Sequence, residues 1–220
     1  MNNFYHNPVL LEKSICKLVT NPNGIYVDAT YGGGGHSKEV LCRLTKKGKL
    51  FAFDQDNDTK QNLIDDTRFF FINSNFKHLK KYLNHHNIYK VNGIIADFGV
   101  SSHQLDEPSR GFSIMKDGPL DMRMNKSSDL TAQNVVNYYE GKKLYKILKE
   151  YGQVTRANEI VNKIVSYRKT KQIKSTIDLV KVVEDSISKF SKYKILAKIF
   201  QSIRIEVNNE LEVIKQLLIQ

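Results

Sequence analysis

The chain has 220 residues, 40% of them hydrophobic and 26% charged, and a net charge of +11 at pH 7. These values fit one soluble domain with an insertion, or two small domains, and point toward a polyanionic partner. No apolar run reaches the ~18 residues a membrane span needs, and the N-terminus shows no charged-then-apolar secretory pattern.

Residues 1–20 open with Tyr5-His6-Asn7-Pro8 and pass into a helical pattern at Leu11, Ile15, Leu18 and Val19. Pro8 suits a first helical turn, and His6 reads as a surface histidine. Ile25-Tyr26-Val27-Asp28 then reads as a strand cut off by Gly32-Gly33-Gly34-Gly35, with a helix expected over 38–46. Strand, glycine turn and helix form the opening unit of a nucleotide- or nucleoside-binding α/β domain, because glycine lets a ligand lie against the backbone. A dinucleotide fingerprint beginning at Gly32 needs glycine where Ser37 stands, and the phosphate-cradling G-x-x-x-x-G-K-[ST] is absent. The turn therefore favours a nucleoside such as S-adenosylmethionine over NAD or ATP.

A second strand, Lys49 to Phe53, ends at Asp54, about 20 residues past the glycines, where a carboxylate accepts hydrogen bonds from a ribose diol. Asp56 and Asp58 read as a solvated helix start. Arg68 to Ile72 is the third strand, and Phe76 beyond its C-terminal end is placed to flank an adenine ring or to join the core. His78, His85 and His86 fall in the next helix without convergent Cys, Asp or Glu, so no metal site is expected. Cys16 and Cys42 have no partner spacing and read as reduced core residues. The fourth strand, Gly93 to Ala96, releases Asp97, Gly99, Ser101, Ser102 and Gln104 on the same sheet edge, the location for chemistry.

From Leu105 the chain becomes polar and punctuated by glycine and proline, through Arg110-Gly111-Phe112-Ser113 and Asp117-Gly118-Pro119-Leu120-Asp121-Met122-Arg123-Met124. Structured loops of this length tend to be functional. Helical patterns follow at 135–139, 144–151, 158–167, 177–190 and 195–203, and a last helix is expected over 204–218. Ile177, Val180, Val183 and Ile187 form one stripe. Lys and Tyr interleave across 142–204, a pattern shared by solvated helices and nucleic-acid faces.

Read together, Val27-Asp28-Ala29-Thr30-Tyr31-Gly32-Gly33-Gly34-Gly35-His36-Ser37, Asp54-Gln55-Asp56, the run from Asp97 to Asp106, Arg110 to Ser113, Asp117 to Met124 and Phe200 to Leu211 resemble the bacterial MraW/RsmH family. The resemblance covers essentially the whole chain in order. It implies an α/β fold: a class I (Rossmann-like) methyltransferase sheet with an inserted all-α domain, the sheet's C-terminal strands missing. The expected domains are an S-adenosylmethionine-binding part at 1–104, a helical RNA-recognition insertion at 105–203, and a returning helix at 204–220.

The implied reaction is methyl transfer from S-adenosylmethionine to the exocyclic N4 amine of a cytosine in 16S ribosomal RNA. Cofactor contacts carry over to Gly34, Gly35, His36, Asp54, Phe76, Asp97 and Gln104. Asp97 is assigned as acceptor of the amine proton, with Ser101 and Ser102 as helpers. Arg110, Asp117, Asp121 and Arg123 are assigned to the substrate side. The small ribosomal subunit is the implied partner and the cytoplasm the implied location; the sequence does not decide between monomer and homodimer. Two departures stand out. Family members continue with a further strand and a Ser-Phe-His-Ser-Leu-Glu-Asp loop, and their Tyr-Gly-Glu-Glu appears here as Tyr151-Gly152-Gln153-Val154. They keep a second reading open, a shortened relative that binds RNA or ribosomes without methylating. An NAD-dependent oxidoreductase is disfavoured by Ser37.

Overall fold

A computed structural model describes residues 10–220, with the side chain of Lys189 left aside. His6 and Pro8 lie outside the described residues. The chain forms two compact units, Met1–His103 with Glu212–Gln220, and Gln104–Leu211.

In the first unit, β1 (Ile25–Asp28), β2 (Lys49–Asp54), β3 (Phe69–Asn73) and β4 (Gly93–Ile95) form a fully parallel sheet in the order β3-β2-β1-β4. Both faces of its centre are covered, so Tyr26, Val27, Asp28, Leu50, Phe51, Ala52 and Phe53 are all buried, the near-continuous apolar run a two-sided parallel strand requires. One face packs Tyr26 and Leu50 against Ile15 of α1 (Leu11–Leu18) and Val40 and Leu41 of α2 (Gly35–Arg43). The other packs Val27, Phe51 and Phe53 against Leu79 and Leu83 of α3 (Leu79–His85), with Leu217 of the C-terminal helix alongside. Chain order 3-2-1-4 puts a topological switch point between β1 and β4, where ligands bind beyond the strands' C-terminal ends.

Several expectations change. Cys16 and Cys42 are exposed, not core, because Ile15, Leu41 and Leu44 take the inward positions of their helices. The first crossover helix begins inside the glycine run, at Gly35, and stops at Arg43. Asp56 is 2% exposed, not solvated; its carboxylate accepts from Asp58 N at 3.1 Å and caps a 3-10 helix over Asn57–Asn62.

Short α4 (Ser102–Asp106) spans the change from one unit to the other. The second unit is otherwise built from α5 (Ala132–Tyr138), α6 (Gly141–Glu150), α7 (Ala157–Tyr167), α8 (Thr176–Glu184) and α9 (Lys192–Asn208). Helix α8 ends at Glu184 rather than 190, and it buries Leu179, Val182 and Val183, so the inward stripe is rotated from the expected one through Ile177 and Val180. The break expected after Ile203 falls instead at Asn209, whose left-handed φ of 48° ends α9 before α10 (Glu210–Leu218) begins.

Candidate active site

The rim of the first unit is assembled around two carboxylates. Asp28 ends β1 fully buried; one oxygen accepts from Thr30 N at 3.1 Å and the other from Ser37 Oγ at 2.7 Å. It thereby closes the glycine turn from both sides. Burial pushes its carboxyl pKa up, against the Ser37 and Thr30 hydrogen bonds. Asp54 ends β2 and accepts from Gly32 N at 2.8 Å on one oxygen and from Asp56 N at 2.8 Å on the other. Burial raises it to about 6, opposed by those two backbone donors.

The glycines have separate reasons. Gly32 and Gly34 hold φ of 51° and 77°, and a Cβ on Gly34 would stand 2.8 Å from the Tyr31 hydroxyl. Tyr31 is itself fixed: its N–H donates to Phe53 O at 2.9 Å and its hydroxyl to Asn62 O. Its pKa rises to about 12, through burial and then the nearby Asp28 and Asp54. Gly34 precedes α2, so the backbone N–H groups of the helix N-terminus open onto the turn, a favourable place for an anionic group. His36 and Ser37 are buried in its first turn.

The loop after β4 joins the same rim. Asp97 N donates to Thr30 Oγ1 at 2.7 Å, and Ser101 Cβ lies 3.8 Å from where a Gly32 Cβ would be. Asp97 is exposed, while Ser101 and Ser102 are half-buried. Phe76 and Phe98 follow β3 and β4, the two outer strands, which stand about 14 Å apart at ordinary strand spacing. Their ring centroids are nevertheless 5.5 Å apart, so the two side chains meet across the ends of β2 and β1. His103 Nε2 lies 3.6 Å from Asp58 Oδ2, a second link between the β4 and β2 loops.

Gly34, Gly35, His36, Asp54, Phe76, Asp97, Ser101 and Ser102 thus share one rim of one unit. Gln104, Arg110, Asp117, Asp121 and Arg123 belong to the other unit. Gln104 and Arg110 are buried there. Arg110 donates to Arg123 O at 2.9 Å and Met124 O at 3.2 Å, while Arg123 forks onto both oxygens of Asp121 and reaches Lys126 O and Ser128 O. Burial pushes the Asp121 carboxyl up, but the side-chain and backbone hydrogen bonds from Arg123 and the charges of Arg123 and Arg110 together hold it below its ordinary range. Asp117 accepts from Ile177 N at 3.4 Å at the start of α8; its hydrogen bond from Ser175 lowers its pKa.

Sequence reasoning passed over Asp28, Phe98 and Asn208. Asp28 has a signal, an aspartate two residues before a threonine at a strand end, the pattern of an Asx turn. Asn208 accepts from Met124 N at 2.7 Å and donates to Met122 O at 2.8 Å, clamping a residue whose φ is 59°. Its only trace in the sequence is its place in the Phe200–Leu211 run. Among the described residues, no three His, Cys, Asp or Glu side chains are grouped to hold a metal. A groove of about 740 Å³ lined by Leu44, Lys46, Asp66 and Arg68 lies at the opposite end of the strands, away from Asp54 and Asp97.

The profile of the MraW methylase family matches residues 3–220. The chain belongs to the MraW methylase family. It is 50% identical over 216 residues to the ribosomal RNA small subunit methyltransferase H of Christiangramia forsetii, covering 98% of this chain and 72% of that protein. The protein of the same name from Flavobacterium johnsoniae gives the same identity and coverage. That of Phocaeicola vulgatus is 45% identical over 214 residues, covering 97% of this chain and 70% of the relative. The parallel sheet is accordingly the class I, Rossmann-like sheet of a methyltransferase, and this MraW-family chain is an enzyme of methyl transfer.

The family implies a methyl donor, and the rim carries groups that suit a donor of nucleoside type. Each Asp54 oxygen has spent one acceptor position on the backbone, which leaves one on each for a ribose diol. The Phe76 and Phe98 rings offer an apolar wall, and the α2 N-terminus faces the turn where a carboxylate would sit.

Proposed function

We propose that this chain transfers the methyl group of S-adenosylmethionine to the exocyclic N4 amine of a cytosine in small-subunit ribosomal RNA, in the cytoplasm. The observation that carries the reading is the convergence of Asp54, Gly32 and the Asp97 loop on one rim, in a chain whose residues 3–220 match the MraW methylase family. The names of the relatives support ribosomal RNA as the substrate.

When bound, S-adenosylmethionine would supply an electrophilic methyl group on a sulfonium, with the neutral thioether as leaving group. Asp54 holds the ribose diol, Phe76 and Phe98 flank the adenine, and Gly34 and Gly35 let the donor approach the backbone. A cytosine amine is a poor nucleophile because its lone pair is delocalised into the ring. The Asp97 carboxylate accepts a hydrogen bond from that amine, localises the lone pair and takes the released proton. Its backbone is held in place by Thr30, which supplies the fixed alignment that near-attack geometry demands. Ser101 and Ser102 assist at the same loop. Gln104 supports the donor side, and Arg110, Asp117, Asp121 and Arg123 shape the substrate side through the loop they brace. The target base leaves its stack to reach such a site, which suits single-stranded or loop RNA.

The test is incubation with labelled methyl donor and small subunits lacking the modification, followed by digestion of the RNA to nucleosides. N4-methylcytidine is the expected product. Label on another base, or donor binding with no transfer, contradicts the reading; the second result describes a non-methylating RNA-binding relative.

A further inference from the structure

Between α7 and α8 the chain carries Arg168, Lys169, Lys171 and Lys174, and its backbone is fixed from two sides. Asn137 of α5, itself buried, treats Ile173 as a strand partner would: its amide donates to Ile173 O at 2.8 Å and its carbonyl accepts from Ile173 N at 2.9 Å. Ile173 is fully buried. The Arg168 guanidinium donates to Val136 O at 2.8 Å, and the Gln172 amide to the Tyr138 hydroxyl at 3.1 Å. On the other side Leu120 N donates to Lys174 O at 2.9 Å and Thr176 N to Gly118 O at 2.9 Å, so the segment is bonded to the glycine–proline turn of the 117–124 motif.

Burying Ile173 and Asn137 explains why the segment is fixed. It does not explain what the fixed segment displays. Lys169, Lys171 and Lys174 are all exposed, and no carboxylate among the described residues is in ion-pair contact with any of them. Tyr138 stands beside them with 65% of its surface exposed and its hydroxyl oriented by Gln172. A lysine cluster on a rigid backbone beside an exposed aromatic ring is the combination that holds single-stranded nucleic acid: ammonium groups neutralise phosphates and the ring stacks on a base. Ordering the backbone in advance lowers the entropy lost on binding.

We propose that Tyr138, Lys169, Lys171 and Lys174 form a docking surface for a single-stranded segment of the substrate RNA. The proposal rests on the reading of the chain as an RNA methyltransferase and adds to it a contact outside the residues assigned to the reaction.

The experiment measures binding to protein-free, unmodified 16S RNA and to intact small subunits across a salt series, for the wild type, K169Q/K171Q/K174Q, K169R/K171R/K174R and Tyr138→Ala. Three lost phosphate contacts flatten the log affinity–log salt slope by about 2, at about 0.7 per single-strand phosphate. The arginine variant retains the slope, and Tyr138→Ala loses about ten-fold in affinity, the scale of one base stack. Helix content by circular dichroism and the midpoint of thermal unfolding stay at the wild-type value in every variant, which separates the surface from a folding defect of the helical unit. An unchanged slope in the glutamine variant overturns the proposal. So does weakening against intact subunits with none against protein-free RNA, which assigns the surface to a ribosomal protein. Methyl transfer by the wild type is followed in parallel; its absence counts against the enzymatic reading, whatever the salt slopes show.

Discussion

Asp54, at the end of β2, accepts a hydrogen bond from the backbone N–H of Gly32 at 2.8 Å, which ties the glycine turn after β1 to the neighbouring strand. The same carboxylate is the group that would hold a ribose diol, so the shape of the turn and the affinity for the donor depend on one side chain.

The first consequence is a pH dependence. Burial raises Asp54 to about 6 in the folded chain, against about 3.9 when unfolded. Between these values the folded state binds more protons than the unfolded one, so this group's contribution to stability falls as pH rises from about 4 to 6. Donor binding needs the charged form and runs the opposite way. Affinity measured by calorimetry is expected to be level above pH 7 and to weaken about ten-fold per pH unit below 6. Asp54→Asn is expected to bind weakly at every pH, with the dependence gone.

Gly34→Ala combines a forced φ of 77° with a Cβ 2.8 Å from the Tyr31 hydroxyl. The expected cost is about 1–3 kcal/mol. Thermal unfolding without ligand reads that cost, and calorimetry is expected to show the loss of donor binding that accompanies it.

Phe98 is 43% exposed and reaches Phe76 across the rim. Phe98→Ala is expected to weaken donor binding about ten-fold, the scale of one aromatic contact with its buried area. Phe98→Leu is expected to recover part of it. Equal affinity in all three proteins would remove Phe98 from the adenine wall.

Asp117 accepts from Ile177 N beside the Ser175 capping box of α8. Asp117→Ala is expected to lower the midpoint of thermal unfolding only slightly, because the carboxylate is exposed and Ser175 and Asp178 still cap α8. Its effect on transfer is expected to appear as weaker RNA binding with unchanged donor affinity, because the residue braces the loop of the second unit.

The sequence made the rim legible where residue chemistry and chain order coincide. Asp54 ends a strand of a parallel sheet and Gly34, Phe76 and Asp97 each follow one, and parallel strands bring their C-terminal ends to one edge. The features the chain does not mark depend on side-chain direction rather than position. Cys16 and Cys42 have the composition of core residues, yet one step around the helix places them outside. Helix α8 stops at Glu184, and over that shorter span Leu179, Val182 and Val183 turn inward, not Ile177 and Val180. Phe98 was hidden because nothing in the chain marks a ring that reaches over two intervening strands. Arg110, Asp121 and Arg123 were visible as a motif, but their mutual pairing and their grip on backbone carbonyls are properties of the folded loop.

Single-turnover methyl transfer by Asp97→Asn, on small subunits lacking the modification and with donor affinity measured in parallel, tests the account most directly. Retained donor binding with transfer slowed by about a hundred-fold or more, the scale of a lost general base, is the predicted result. Transfer at the wild-type rate would contradict the assignment of the Asp97 loop as the place where the amine is activated.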